Sequence, residues 1–241
     1  IERAEKKVTS IAWYDKQADQ WGILILDTKN QLKHTKARNK EIIPVQHESD
    51  LLFKWIEKLE EIEPDMLIGY NSDYYVTIEG IESLDYMRLH RKYSWADEPS
   101  WKLDDIGEKY AGIKKIEYDG SLDRLFEEDV NKFIQYNFRD VEILKVLDEK
   151  LQYLALTKNL AHKGKIRYHE VYASSKIHDG AISAYLLSQN IIPPSRDRNP
   201  ITKKNYAGGY LFCPTAGIFN YMFDEDLTSL YPSIIMSLNI G

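Results

Sequence analysis

The sequence predicts an α/β fold, because strand-like and helix-like patterns follow one another along the chain. Residues 8–14 and 21–27 read as two strands that are joined by a polar turn. From residue 122 to residue 156 apolar side chains recur at helical spacing, and this is the strongest helical pattern in the chain. A chain of 241 residues with 43% hydrophobic residues can bury the core of one large domain or of two smaller ones.

Between these regions the chain adds further helical and strand patterns. Ser49 is the predicted N-cap of a helix that Pro64 ends, and apolar residues repeat at helical spacing between them. Residues 65–71 then predict a short buried strand. A further helix is predicted from Trp101, with its end near Gly112.

The strongest helical region carries Tyr136 and Asp140. The two residues are four positions apart, so both side chains project from one face of the helix. This spacing is common by chance, and the pair alone does not identify a site. Residues 168–190 predict another helix, and residues 193–200 predict a linker.

Near its C-terminal end the chain places a carboxylate after an apolar run. Residues 221–223 predict a strand that leads to Asp226, and Pro232 suits the first turn of a following helix. Asp226 would then lie at a strand end and face a cleft. The alternative is that Asp226 caps the following turn and that the apolar residues after it belong to a core.

Charge is unevenly distributed along the chain. The net charge is −6, which argues against a wholly basic nucleic-acid-binding protein. Residues 158–206 nevertheless carry a net charge of +6, with aromatic side chains between the basic ones. Such a stretch suits a phosphate backbone and unstacked bases, and the alternative is a solvated helical face.

Several classes of protein are excluded by composition. The single cysteine, Cys213, rules out an internal disulfide and a cysteine-based zinc site. No apolar run reaches the roughly 18 to 20 residues that span a bilayer, and the start of the chain is no signal peptide. We therefore predict an intracellular protein that does not enter a membrane.

Residues 226–235, with the sequence DLTSLYPSII, resemble motif A of the family B DNA polymerases. The resemblance implies that Asp226 binds two catalytic metal ions and that Tyr231 lies under the sugar of the incoming nucleotide. It implies nucleotide contacts for Leu227, Thr228, Ser229, Leu230 and Tyr231. Just upstream, the sequence YAGG resembles the YxGG element of the family. The expected DNA contacts there are Tyr206, Gly208 and Gly209, with Lys203 and Lys204 before them.

Three further segments resemble the exonuclease motifs of that family. Glu2 matches the carboxylate that follows the aspartate of the first motif, and that aspartate is not in the chain. Asn71 matches the asparagine of the second motif and is an expected DNA contact, but Tyr75 or Val76 stands where its aspartate is expected. The resemblance also predicts that a segment present in the family is absent from this sequence after the second motif. Tyr136 and Asp140 match the third motif, Tyr-x-x-x-Asp, in which the aspartate binds a metal and the tyrosine hydroxyl positions the attacking water.

The resemblance implies a fold, a function and its partners. It implies an RNase H-like 3'-5' exonuclease domain at residues 1–153, a helical connecting segment at 154–200 and the start of a polymerase palm at 201–241. The implied function is DNA-directed DNA polymerisation with proofreading. It implies two-metal sites for Mg²⁺, or Mn²⁺: Asp226 would be a ligand in the polymerase site, and Asp140 and Glu2 would be ligands in the exonuclease site. The implied partners are primer–template DNA, single-stranded DNA, deoxynucleoside triphosphates and a sliding clamp that binds outside these residues.

The resemblance also predicts a viral protein in the cytoplasm of a host cell. Because metal ligands are missing, we expect this segment by itself not to be a competent enzyme. Two other classes of function stay open. One is a catalytically inactive module that binds single-stranded DNA, and the other is a stand-alone RNase H-like nuclease, which would have no use for residues 226–235.

Overall fold

The computed structural model describes residues 7–72, 78–94, 96–193, 210, 212, 216–223 and 225–240. The chain separates into two compact units, residues 1–193 and residues 194–241. The first unit is mixed α/β and contains every described strand. In the second unit, the described residues contain a single helix.

A four-stranded sheet forms the first part of the first unit. Its strands are β1 (Ser10–Asp15), β2 (Gln20–Leu26), β3 (Thr35–Ala37) and β4 (Lys40–Val45). The spatial order is β1-β2-β4-β3, in which β2 runs parallel to β4 and the other two pairings are antiparallel. The two predicted strands and their turn are thereby confirmed as β1 and β2.

Strand β2 lies at the centre of the core because both of its faces are covered. Ile23 and Ile25 point to one face and pack with Phe133, whereas Leu24 points to the other face and packs with Leu51. All three β2 side chains are fully buried. Side chains alternate between the faces of a strand, so an apolar run of this kind indicates burial on both sides.

Trp13 on β1 lies across Gly22 on β2. The two residues are opposite each other in the register, and a Cβ atom on Gly22 would stand 2.0 Å from the Trp13 ring. The ring therefore occupies the space that any larger residue at position 22 would fill. On the same side of the sheet, the Trp13 and Trp55 ring centroids are 5.5 Å apart.

Helix α1 (Glu48–Ile62) follows β4 directly. His47 has the extended backbone of an N-cap residue and makes no side-chain capping bond, so the prediction that Ser49 caps this helix was wrong. The helix starts earlier because the chain already turns at His47, directly after the sheet. Glu63 adopts a left-handed conformation and Pro64 follows it, which confirms the predicted end.

A second, two-stranded parallel sheet consists of β5 (Met66–Gly69) and β6 (Glu82–Asp85). The strand predicted over residues 65–71 is therefore present but shorter, and β5 is half-buried. Helix α2 (Tyr86–Tyr93) begins directly after β6, with Asp85 as its N-cap.

The helix predicted near residues 101–112 is present in two parts. Helix α3 (Leu103–Ile106) continues into a π-helical turn (Gly107–Ala111), and Gly112 ends it with a φ of 73°. A loop then leads to α4 (Leu122–Glu128).

The long helical pattern from residue 122 to residue 156 is not one helix. It is divided into α4, α5 (Val130–Leu151) and α6 (Tyr153–Gly164). Asp129 separates the first two and caps α5 by accepting the Lys132 N–H, at 2.9 Å. Gln152, in a left-handed conformation with a φ of 54°, separates α5 from α6.

The remaining helical segments of the first unit are a 3-10 helix (Tyr168–Tyr172) and α7 (Ser174–Ser188). Ala161 and Val171 are buried in the same core cluster as Leu84, so residues 154–193 pack within the first unit. In the second unit, the described helix is α8 (Leu230–Leu238). Among the described residues, no helix has the length and apolar character needed to cross a membrane.

Candidate functional site

One face of α5 gathers a tyrosine, a carboxylate and a lysine. Tyr136 and Asp140 lie one turn apart on this face, as their spacing predicts. The Lys115 ammonium donates hydrogen bonds to both: Nζ is 3.0 Å from the Tyr136 hydroxyl and 2.8 Å from Asp140 Oδ2. The three side chains therefore form one connected polar cluster, which we call the α5 cluster.

The loop before α4 holds Lys115 in position. Its backbone N–H donates to Asp104 Oδ1 at 2.7 Å, and Asp104 lies in the first turn of α3. Three residues after Lys115, the Tyr118 ring packs edge-on against the Tyr136 ring, with centroids 5.3 Å apart. The loop is thus fixed to α3 at one point and to α5 at another, which leaves Lys115 little freedom.

Burial and charge act against each other in the α5 cluster. Burial raises the pKa of the Asp140 carboxyl, and the hydrogen bond and charge of Lys115 only partly offset it. Burial acts to lower the pKa of Lys115, but its hydrogen bonds to Asp140 and Tyr136 outweigh this and leave it raised. Burial also raises the pKa of the Tyr136 hydroxyl. Lys115 and Tyr136 therefore stay protonated near neutral pH.

Asp140 keeps one oxygen for another partner. Its Oδ1 atom is buried and has no hydrogen-bond partner among the described residues. A buried carboxylate oxygen without a partner is unfavourable, and a metal ion would satisfy it. Asp140 thus fits the part of one metal ligand, although no group of three His, Cys, Asp or Glu side chains in the described part of the chain is arranged to hold a metal.

A cleft of about 640 Å³ opens beside Tyr136. Its walls carry both charges and an aromatic ring: Asp104, Glu117 and Asp119 are the acids, Lys115 and Lys132 the bases, and Tyr118 the ring. Lys132, Tyr136 and Asp140 follow one another at intervals of one helical turn. The cleft therefore extends the polar face of α5 away from Asp140.

The second predicted site lies in residues 226–231. Helix α8 begins at Leu230, with Pro232 in its first turn, which confirms the predicted helix start. Asp226 lies outside the helix and is exposed, and 75% of the Tyr231 side chain is exposed. Leu230, Ile234 and Ile235 are also exposed.

The strand predicted before Asp226 is not formed. Residues 221–223 have no strand conformation, and Tyr221 has a left-handed backbone with a φ of 60°. A strand needs a neighbouring strand to satisfy its backbone N–H and C=O groups. Among the described residues, none pairs with this segment.

Two family models match the chain. The model for DNA polymerase family B, exonuclease domain, matches residues 5–76, and the model for DNA polymerase family B matches residues 172–241. The DNA-directed DNA polymerase of Escherichia phage RB69 is 34% identical over 172 residues, which are 71% of this chain. The chain belongs to the family B DNA polymerases.

Two further relatives support this membership. The DNA-directed DNA polymerase of Enterobacteria phage T4 is 29% identical over 172 residues, which are 71% of this chain. DNA polymerase 1 of Saccharolobus solfataricus is 29% identical over an alignment of 156 residues, which covers 58% of this chain. The chain spans 19% of the length of each phage relative and 17% of the third. The family predicted from the motifs is thus confirmed.

The two family models cover some of the predicted site residues of this family B polymerase chain and leave others outside. Asn71 lies in the exonuclease match, two residues after the end of β5, and is exposed. Asp226 and Tyr231 lie in the polymerase match, whereas Tyr136 and Asp140 lie between the two matches. Outside the described residues are Glu2, Lys203, Lys204, Tyr206, Gly208 and Gly209.

Lys115 is the member of the α5 cluster that the sequence interpretation missed. It lies in the loop between α3 and α4, and its partners Tyr136 and Asp140 are 21 and 25 residues away along the chain. The sequence gives one local indication of its role, which is that a lysine precedes the helix whose polar face carries Tyr136 and Asp140. Asp104, which holds the Lys115 backbone, gave no signal of its own.

Proposed function

We propose that this chain is part of a DNA-directed DNA polymerase with a 3'-5' proofreading exonuclease. The observation that carries the proposal is that the exonuclease and polymerase family models match one chain in that order. We further propose that the mixed α/β unit has the RNase H-like fold of such exonucleases. The proposed division is an exonuclease domain at residues 1–153, a connecting segment at 154–200 and the start of the palm at 201–241.

The α5 cluster supports an exonuclease role. Hydrolysis of a phosphodiester needs a positioned water and relief of the negative charge that develops on the oxygens. Lys115 donates to the Tyr136 oxygen, so the Tyr136 proton is directed away from Lys115 and is available to the attacking water. The Lys115 ammonium also holds Asp140 Oδ2, which leaves Oδ1 as the ligand atom.

In this proposal the metal ligands are Asp140 and Glu2 for the exonuclease and Asp226 for the polymerase. Two divalent cations, Mg²⁺ or Mn²⁺, would activate the attacking oxygen and neutralise the leaving one. Asp140 Oδ1 has the burial and the missing partner that a ligand atom would have. Exposed Asp226 has a carboxylate that nothing encloses within the described residues.

The proposed nucleotide and DNA contacts follow the motifs. Tyr231 would lie under the sugar of the incoming deoxynucleoside triphosphate, next to contacts from residues 227–230. DNA contacts are proposed for Asn71, Lys203, Lys204, Tyr206, Gly208 and Gly209. A sliding clamp would bind through other parts of the polymerase, and the protein would act in the cytoplasm of a virus-infected cell.

A second candidate is a module that binds single-stranded DNA without cleaving it. It is favoured by Tyr75 and Val76, which stand where the second exonuclease motif has its aspartate. Lys158 and Lys163 of α6 are exposed, and so are Lys165 and Arg167, which follow the helix. Affinity of this surface for single-stranded DNA should fall with salt, by a slope of about −0.7 in log affinity against log salt for each phosphate neutralised.

Two substitutions in the full-length protein that contains this segment separate the two activities. Asp140→Asn should abolish digestion of a labelled single strand and leave primer extension intact. Asp226→Asn should abolish primer extension and leave digestion intact, so each variant is the folding control for the other. Loss of neither activity with either variant would overturn the proposal. Binding of the single strand without cleavage by the parent protein would favour the second candidate.

A further inference from the structure

The turn that carries Asn71 is tightly folded at the end of β5. Gly69 approaches Ser72 so closely that a Cβ atom on Gly69 would stand 2.8 Å from the Ser72 hydroxyl oxygen. The Tyr70 hydroxyl donates to the Trp101 carbonyl at 2.8 Å, and Asn71 has a left-handed backbone with a φ of 55°. The Asn71 side chain is exposed, whereas the backbone of its turn is held on several sides.

Asp85 holds the backbone of this turn from the neighbouring strand. Its Oδ1 atom accepts the Asn71 N–H at 3.1 Å and the N–H of Met87, the second residue of α2, at 2.8 Å. Only 3% of Asp85 is exposed. One buried carboxylate oxygen therefore joins the Asn71 turn to the start of α2.

Tyr172 in turn holds Asp85. The Asp85 N–H donates to the Tyr172 hydroxyl oxygen at 2.8 Å. The Tyr172 hydroxyl in turn donates to the Asp85 carbonyl oxygen at 3.2 Å. The Arg88 guanidinium packs over the Tyr172 ring at 4.2 Å. Tyr172 is the first residue of the polymerase match and Asn71 lies in the exonuclease match, so this contact links the two matched segments.

We propose that Asp85 is a positioning residue for strand binding, which orients Asn71 towards single-stranded DNA, and that Tyr172 fixes Asp85 in this role. The inference rests on the proposed DNA contact of Asn71. An amide that must meet a nucleotide gains affinity when its backbone is ordered before binding, because less conformational freedom is lost in the complex. The connection to Tyr172 makes the orientation of Asn71 depend on the 3-10 helix before α7.

Asp85 also caps α2, so the test must separate its contact with Asn71 from its capping of that helix. Substitution of Asp85 by serine separates the two. Serine caps helices about as well as aspartate, but its shorter side chain cannot also reach the Asn71 N–H. Asp85→Ser in the full chain should bind fluorescent oligo(dT) about fivefold more weakly without divalent metal, the effect of about one hydrogen bond. Asp85→Asn, which keeps the acceptor oxygen, should bind like the parent. Asp129→Ser, at the N-cap of α5, is the matched control and should also bind like the parent.

A double substitution shows whether Asp85 acts through Asn71. If it does, Asn71→Ala with Asp85→Ser should bind no more weakly than Asn71→Ala alone. Additive losses, or parental binding by Asp85→Ser while Asn71→Ala is weakened, would overturn the positioning role alone. Parental binding by Asn71→Ala would overturn the proposed DNA contact and the positioning role with it. Should Asp85→Ser fail to fold, Tyr172→Phe removes only one hydroxyl, and parental binding by that variant would overturn the link to Tyr172.

Discussion

The two predicted catalytic regions differ in burial. The face of α5 with Tyr136 and Asp140 is packed, whereas the stretch with Asp226 and Tyr231 is exposed. Tyr136 is 8% exposed and Tyr231 is 75% exposed. Asp140 is bonded to Lys115 within a packed unit, whereas residues 225–240 are all exposed. A motif in the sequence thus fixes residue identities and spacing, but surrounding packing decides whether those residues are ordered for chemistry.

The largest difference should appear when matching isoleucines are truncated in the two regions. Ile143 on α5 is fully buried and Ile235 on α8 is 49% exposed. Ile143→Ala should lower the free energy of unfolding by about 3 kcal/mol, through lost burial and the cavity left behind. Ile235→Ala should change it by at most about 0.5 kcal/mol. Urea unfolding followed by far-ultraviolet circular dichroism measures both, and equal losses would show that α8 is packed as firmly as α5.

A smaller difference is expected between two adjacent lysines. Lys115→Met should lower the free energy of unfolding by about 1 to 2 kcal/mol at neutral pH, because it leaves the buried Asp140 carboxylate without its partner. Lys114→Met removes an ion pair to Glu108 in which both side chains are more than half exposed and screened by solvent, so its effect should be clearly smaller.

The cost of Lys115→Met should also depend on pH. Without the ammonium, burial raises the pKa of Asp140 further above its ordinary value. A carboxyl group with a raised pKa penalises the folded state at higher pH, and the penalty disappears once the group is protonated in both states. Urea unfolding near about pH 4 should therefore show a smaller cost than at neutral pH. A cost that stays constant with pH would exclude Asp140 as its source.

His90 tests whether buried polar groups elsewhere in the first unit behave like the α5 cluster. It is fully buried, and neither ring nitrogen has a hydrogen-bond partner in the described part of the chain. Glu98 Oε1 lies 3.9 Å from its Nε2 atom. Burial lowers the pKa of His90, against the opposing effect of Glu98 and with the help of Lys109. In the unfolded chain His90 therefore binds a proton more readily than in the folded chain. The free energy of unfolding should be highest above about pH 6.5 and should decrease as the pH falls below it.

Substitution of His90 should remove that loss. Between about pH 7 and pH 5.5, His90→Phe should lose less stability than the parent, as measured by urea titrations at each pH. His178→Phe is the matched control, because His178 is exposed on α7, and it should keep the parental pH dependence. An unchanged pH dependence in the His90 variant would mean that His90 titrates alike in the folded and unfolded chains.

The smallest effect on stability is expected at Tyr231. Tyr231→Ala should change the free energy of unfolding by at most about 0.5 kcal/mol, since the ring is mostly exposed. In the full-length polymerase it should nevertheless raise ribonucleotide incorporation in primer extension, because the ring would no longer exclude a 2'-hydroxyl. Tyr221→Ala, at another exposed tyrosine, should leave discrimination unchanged. A folded, active Tyr231→Ala polymerase that discriminates as well as its parent would remove Tyr231 from the sugar site.

Local chemistry explains which parts of the fold the sequence predicts. The apolar run of β2, the end of α1 at Pro64 and the left-handed Gly112 each depend on residues next to them. The break at Gln152 is different, because a non-glycine residue adopts a left-handed backbone there without a local signal. The prediction of Ser49 as N-cap failed for a similar reason, since α1 starts at Glu48, shortly after the end of β4.

In the candidate site, too, the features that depend on neighbouring residues are predicted from the sequence, and those that depend on tertiary contacts are not. The one-turn spacing of Tyr136 and Asp140 is local, and the sequence predicts it. The contact of Lys115 with both residues depends on how the loop after α3 crosses α5, which is a tertiary arrangement.

The Trp13–Trp55 pair has an optical consequence. All five tryptophans of the chain lie at or before residue 101, in the first compact unit. Two indoles with centroids 5.5 Å apart are close enough to couple their electronic transitions, so the pair should give the near-ultraviolet circular dichroism a signature of the intact sheet. Tryptophan emission should then follow melting of the sheet side of the molecule, while α8, which contains no indole, could unfold without being seen.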